Sequence, residues 1–125
     1  MASLLLFVYG TLKRGRRNHH LLADQEFLSE AQTLPRYRLV DTGSYPCLVE
    51  DHKSGVAVSG ELWRVEDHCL TRLDTLEKVP YLFDRREVGL AGVAGPAFTY
   101  LYQQDISRFE DCGDSWPRGH AERRR

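Results

Sequence analysis

The sequence is sparing with the residues that several common architectures depend on. Its 125 residues include one methionine, three cysteines and five prolines, and its charges nearly cancel, 17 lysines and arginines against 18 acids. A formal charge of −1 and a pI near 6.5 leave no global field to draw the chain onto nucleic acid or an anionic membrane, so neither is expected as a partner. No apolar run approaches the length of a membrane span. Residues 1–7 lack a basic leader, a long apolar segment and a small-residue cleavage site, so they do not read as a signal peptide. Cys47, Cys69 and Cys112 form an odd, widely spaced set with no C-x-x-C pair, which suits structural thiols in a reducing cytoplasm better than a disulfide framework.

Familiar catalytic signatures are also missing. The run Gly10-Thr11-Leu12-Lys13-Arg14-Gly15 is not a phosphate loop, because Arg16 stands where that motif needs lysine. There is no H-E-x-x-H and no Cys/His ligand spacing, so no metal site is expected. Acyl-enzyme chemistry has no candidate either, since no G-x-S-x-G elbow or cysteine-nucleophile signature occurs.

What is present is a series of short strands around one helix. The apolar run 4–9 has strand length and no polar break, which predicts a strand covered on both faces and stopped by Gly10. Asn18 is a candidate N-cap for a short helical turn through Leu21, Leu22 and Ala23. Residues 27–34, 37–41, 47–50 and 55–65 read as strands separated by Pro35, by the Gly43-Ser44-Tyr45-Pro46 turn and by the polar segment 51–54. Within 56–65 the two faces differ, and Gly60 marks a bulge or a close backbone approach. Leu70, Leu73 and Leu76 behind Asp67, a candidate N-cap, predict a helix from 67 to about 76 that ends before Val79-Pro80. Residues 82–90 and 96–103 form a predicted hairpin. One domain, residues 1–110, with a polar tail at 111–125 that covers the barrel in part or frays, is the expected organisation. Six or seven strands and one clear helix place the chain in the α+β class: a small mixed, mainly antiparallel β-barrel flanked by short helices.

Two features carry candidate chemistry. A strand that ends abruptly at glycine can turn successive backbone N–H groups into an anion-binding nest, with Lys13, Arg14, Arg16 and Arg17 behind it. The plainer alternative is a tight turn with solvated cations. Glu77 follows the helix and sits among apolar residues, where burial and the negative helix end raise its pKa toward the range of a general base. Its plainer alternative is a surface glutamate paired with Lys78.

The stretches "VYGTLKRG" and "GELWRVEDHCLTRLDTLEKVPYLFDRREV", residues 60–88, resemble the γ-glutamyl cyclotransferase-like family, most closely its γ-glutamylamine cyclotransferase branch. The likeness runs in order from residue 7 to about 102. The resemblance implies a small barrel, backbone binding of the glutamyl or 5-oxoproline moiety by Tyr9, Gly10, Thr11 and Leu12, and Glu77 as the catalytic acid/base. It further implies a small-molecule γ-glutamyl substrate and no metal or cofactor; a monomer is the expected state. Tyr9-Gly10-Thr11-Leu12 is similar to the amine branch, whereas glutathione-degrading relatives carry Y-G-S-L. Relatives have tyrosine where this chain has Phe83, so a hydroxyl is absent there unless Tyr81 replaces it. Two alternatives remain: a non-catalytic module that binds a small carboxylate, and an enzyme that removes a γ-glutamyl protecting group from a biosynthetic intermediate.

Overall fold

The computed structural model describes residues 2–117. Eight strands form one curled mixed sheet, a half-barrel: β1 (Ser3–Val8), β2 (Glu26–Gln32), β3 (Tyr37–Asp41), β4 (Pro46–Glu50), β5 (Ser59–Glu66), β6 (Phe83–Val88), β7 (Ala97–Tyr102) and β8 (Glu110–Gly113). A 3-10 turn (His19–Leu22) follows β1, and the helix α1 (Asp67–Leu76) follows β5. Among the described residues no helix is long and apolar enough to cross a membrane.

The sheet runs β2-β5-β1-β7-β4-β3-β8, with β6 also paired to β7. Its pairs are antiparallel except that β7 runs parallel to both β1, at Leu6 and Phe98, and β4, at Leu48 and Leu101. Because β6 occupies one whole edge of β7, from Phe83 opposite Tyr102 to Val88 opposite Ala97, β1 and β4 must share the other edge. The sheet therefore forks where β1 leaves β7 and β4 replaces it. Tyr9 fills the fork: its hydroxyl donates to the Tyr100 carbonyl at 2.6 Å and accepts from the Leu48 N–H at 3.3 Å, satisfying backbone groups that neither ladder reaches.

The apolar alternation of β1 serves two cores. Leu6 and Val8 pack with Trp63, Leu70 and Leu73 beneath the helix, while Phe7 and Tyr9 pack with Leu39, Leu62 and Leu101 inside the curl. Gly60 makes the close approach anticipated for it, since a Cβ there would lie 2.4 Å from the Val8 carbonyl oxygen; the register shift lies instead in β2, between Phe27 and Ser29.

Several local expectations are corrected. Helix α1 has the predicted span, but its N-cap is Glu66, and Asp67 is the first helical residue, where its charge still faces the positive helix end. Leu70 and Leu73 are buried, whereas Leu76 is 39 % exposed because the leucine stripe runs out of core at the helix end. Asn18 is the N-cap of the 3-10 turn, as expected, but its side chain makes no capping bond; it donates to Thr11 Oγ1 at 3.0 Å instead. An eighth strand, β8, pairs with β3 inside the segment read as a tail, and the Asp114 carbonyl accepts from Ser59 N–H at 2.7 Å. The fraying expected for residues 122–125 lies outside the described residues.

Candidate active site

The segment after β1 folds back on itself as a closed loop. Lys13 N–H donates to the Gly10 carbonyl at 3.1 Å and Asn18 N–H to the Thr11 carbonyl at 2.9 Å, and His19 Nδ1 lies 3.1 Å from the Leu12 carbonyl. Among the described residues, the Thr11 and Leu12 N–H groups form no hydrogen bond. The cations beyond do not act as one patch. Arg14 is engaged with Glu61, and Lys13 Nζ donates to the Trp116 carbonyl at 2.6 Å. Burial first, then Arg16, lowers the Lys13 pKa. Gly10 lacks a positive φ; glycine is needed because a Cβ would lie 2.6 Å from Pro46 Cγ.

Glu77 is delivered by the end of α1. Its N–H donates to the Leu73 carbonyl at 2.9 Å, and its own carbonyl accepts from Phe83 N–H at 3.2 Å, so the helix terminus is tied directly to the start of β6. The residue after it, Lys78, takes φ 55°, the left-handed conformation that closes many helices. Among the described residues the Glu77 carboxylate has no hydrogen bond and no ion pair, and it is not paired with Lys78. Burial alone pushes its pKa up to about 7.

Glu77 and residues 9–12 line one cavity of about 240 Å³. Nothing local in the sequence joins these segments; the fork of the sheet does. The rest of the wall includes Arg17, Asn18, Tyr45, Lys78, Phe83 and Tyr100. Tyr81 is 79 % exposed and does not line the cavity, so it supplies no hydroxyl in place of Phe83. Tyr45 does line it, its ring centroid 6.0 Å from that of Phe83.

Tyr100 was not singled out by the sequence, although the alternation of Phe98, Tyr100 and Tyr102 already assigned it a face. Its hydroxyl donates to Asp74 Oδ1 at 2.7 Å, and Asp74 accepts two hydrogen bonds from Arg85, both at 3.0 Å. Burial opposes ionisation of Asp74, but the Arg85 and Tyr100 hydrogen bonds outweigh it and hold the carboxyl below its ordinary range. Burial, then the bond to Asp74, raises the Tyr100 pKa. The cavity thus holds one carboxyl able to exchange a proton near neutrality, while its neighbour Asp74 is locked as an anion.

All three cysteines are buried, and Cys47 and Cys69 are free thiols. Burial raises the Cys47 thiol to about 12, so it is a poor nucleophile. Among the described residues no group of three His, Cys, Asp or Glu side chains could hold a metal ion.

The family model for "Gamma-glutamyl cyclotransferase, AIG2-like" matches residues 6–119. The chain belongs to the γ-glutamyl cyclotransferase family. A putative γ-glutamylcyclotransferase of Vibrio cholerae is 43 % identical over 88 % of this chain and 93 % of its own. The γ-glutamylaminecyclotransferase of Bos taurus is 38 % identical over 78 % of this chain, the match spanning 63 % of the bovine protein. The γ-L-glutamyl-butirosin B γ-glutamyl cyclotransferase of Niallia circulans is 36 % identical over 85 % of this chain and 73 % of its own. Membership makes this γ-glutamyl cyclotransferase an enzyme and sets aside the non-catalytic module.

Proposed function

We propose that this cyclotransferase acts on γ-glutamylamines, releasing 5-oxoproline and the free amine, with Glu77 as the acid/base. The observation that carries the reading is the placement of Glu77 in the wall of the same cavity as Tyr9, Gly10, Thr11 and Leu12. Ionised Glu77 takes a proton from the substrate α-ammonium, and the freed amine attacks its own γ-carbonyl. A five-membered lactam forms as the C–N bond to the leaving amine breaks; Glu77 returns its proton to that amine, and the extra proton left on the ring nitrogen goes to solvent. A pKa near 7 lets one carboxyl serve both steps.

The Thr11 and Leu12 N–H groups are the donors for the substrate carboxylate or the developing oxyanion. An intramolecular attack held in a near-attack conformer gains an effective molarity of roughly 10⁵ M or more. General acid/base transfer adds about 10² to 10⁴, and an oxyanion donor about 10² to 10³. Neither a metal nor a cofactor is required to balance these steps.

The bovine relative's name and the Tyr9-Gly10-Thr11-Leu12 motif support an amine substrate. The Niallia circulans relative supports a second reading of the same chemistry, in which the γ-glutamyl group sits on a larger biosynthetic intermediate. Chromatographic measurement of 5-oxoproline from γ-glutamyl-ε-lysine and from glutathione tests the assignment. The expected result is a kcat/KM at least about tenfold higher for the lysine compound, roughly 1.4 kcal/mol in transition-state binding. A preference for glutathione would overturn it.

A further inference from the structure

Two cations in the cavity wall have no part in the chemistry just described. Arg17 reaches the cavity from the loop after β1, and Lys78 from the residue after the C-cap of α1. Both are exposed. Among the described residues neither side chain makes an ion pair or a hydrogen bond, unlike Lys13, Arg14 and Arg85, which are all engaged. Among the described residues Glu77 is the one acid in the lining, so the lining carries an excess of positive charge.

Lys78 also holds φ 55°, a position that glycine fills at lower conformational cost. A side chain kept at a strained position beside a site is a pointer to a role there. The same lining includes Tyr45, Leu76, Leu82 and Phe83, apolar surface suited to a methylene chain.

We propose that Arg17 and Lys78 form an anion subsite for a carboxylate on the leaving amine, so that the preferred substrates are γ-glutamyl conjugates of ω-amino acids. In such a compound an unbranched chain links the scissile nitrogen to a terminal carboxylate. This rests on the cyclotransferase reading, with the glutamyl end at residues 9–12 and the leaving chain crossing the apolar wall. γ-Glutamyl-ε-lysine, whose leaving lysine carries a carboxylate at the far end of its chain, belongs to the same class.

The test compares γ-glutamyl-4-aminobutyrate with γ-glutamyl-n-butylamine, which share a chain and differ in the terminal carboxylate. The parent protein should favour the carboxylate by at least about tenfold in kcat/KM, and the Arg17→Gln/Lys78→Gly double variant should bring that ratio to within about twofold. A parent ratio under about twofold overturns the proposal. So does an equal slowing of both compounds in the variant, which would assign the cations to the glutamyl end. Calorimetric titration of the same pair into Glu77→Gln protein reads the subsite without turnover: a tenfold tighter Kd for the carboxylate supports it, and equal affinities overturn it. Absence of 5-oxoproline from either compound would count against the cyclotransferase reading itself, with the calorimetric arm then deciding the subsite.

Discussion

Arg14 and Glu61 meet twice: the Arg14 backbone N–H donates to Oε1 and its side-chain Nε donates to Oε2, each at 3.1 Å. Trp63 Nε1 donates to the same Oε1 at 3.1 Å. Glu61 is 8 % exposed, so a single buried carboxylate on β5 anchors the loop that follows β1.

Replacing Glu61 with Ala leaves these donors without their acceptor. The expected loss is about 2–4 kcal/mol in urea denaturation, with a raised KM because the loop is no longer held. Glu61→Gln, which keeps one carbonyl oxygen, should recover part of both. An unchanged KM in a destabilised Glu61→Ala protein would show that the anchor does not govern the site.

Glu77→Gln keeps the shape of the side chain and removes the proton carrier. Turnover should fall by at least about a hundredfold while circular dichroism and 5-oxoproline affinity are retained. Activity within a few fold of the parent would exclude Glu77 as the acid/base.

The same substitution has a stability signature. Burial raises the folded-state Glu77 pKa from 4.5 to about 7. Below about pH 4.5 both states are protonated and there is no penalty. As pH rises from there to 7 the unfolded chain releases the proton and the folded chain keeps it, so stability is lost, and above 7 the loss is complete. It amounts to something on the order of 3 kcal/mol. Glu77→Gln should therefore melt higher than the parent at pH 8 and match it near pH 4.5. A gap that does not grow with pH would mean the carboxyl is not destabilised by burial.

Gly10 tests the fork. Because a Cβ would lie 2.6 Å from Pro46 Cγ and 2.9 Å from Cδ, Gly10→Val should cost about 1–3 kcal/mol by pushing β4 away from the end of β1, and it should weaken 5-oxoproline binding through that shift. Gly10→Ala should do both to a smaller degree. Normal affinity in a folded Gly10→Val protein would place the ligand elsewhere.

Much of this fold is legible in the chain because its signals are local. An unbroken apolar run before Gly10 gives β1, leucines three apart give α1, and two runs flanking a glycine-containing connection give the β6–β7 hairpin. Glu77 also stands out locally, as an acid among apolar residues at the end of a helix. Other features depend on what lies far away in sequence. The parallel contacts of β7 with β1 and β4 leave no mark in any one segment, yet they create the fork and bring Glu77 to the loop at residues 9–12. Strand β8 is too polar to announce itself and exists because the edge of β3 offers it a ladder. Asn18 caps the 3-10 turn from its expected position, but its side chain goes to Thr11 only because the loop folds back, and Tyr81 looked able to replace a missing hydroxyl until the chain reversal after Lys78 turned it to solvent. Periodicity and turn chemistry specify which element a segment forms, because both act between neighbours in the chain. Which elements share a cavity is settled by packing and pairing across the whole sheet, and that depends on every strand at once.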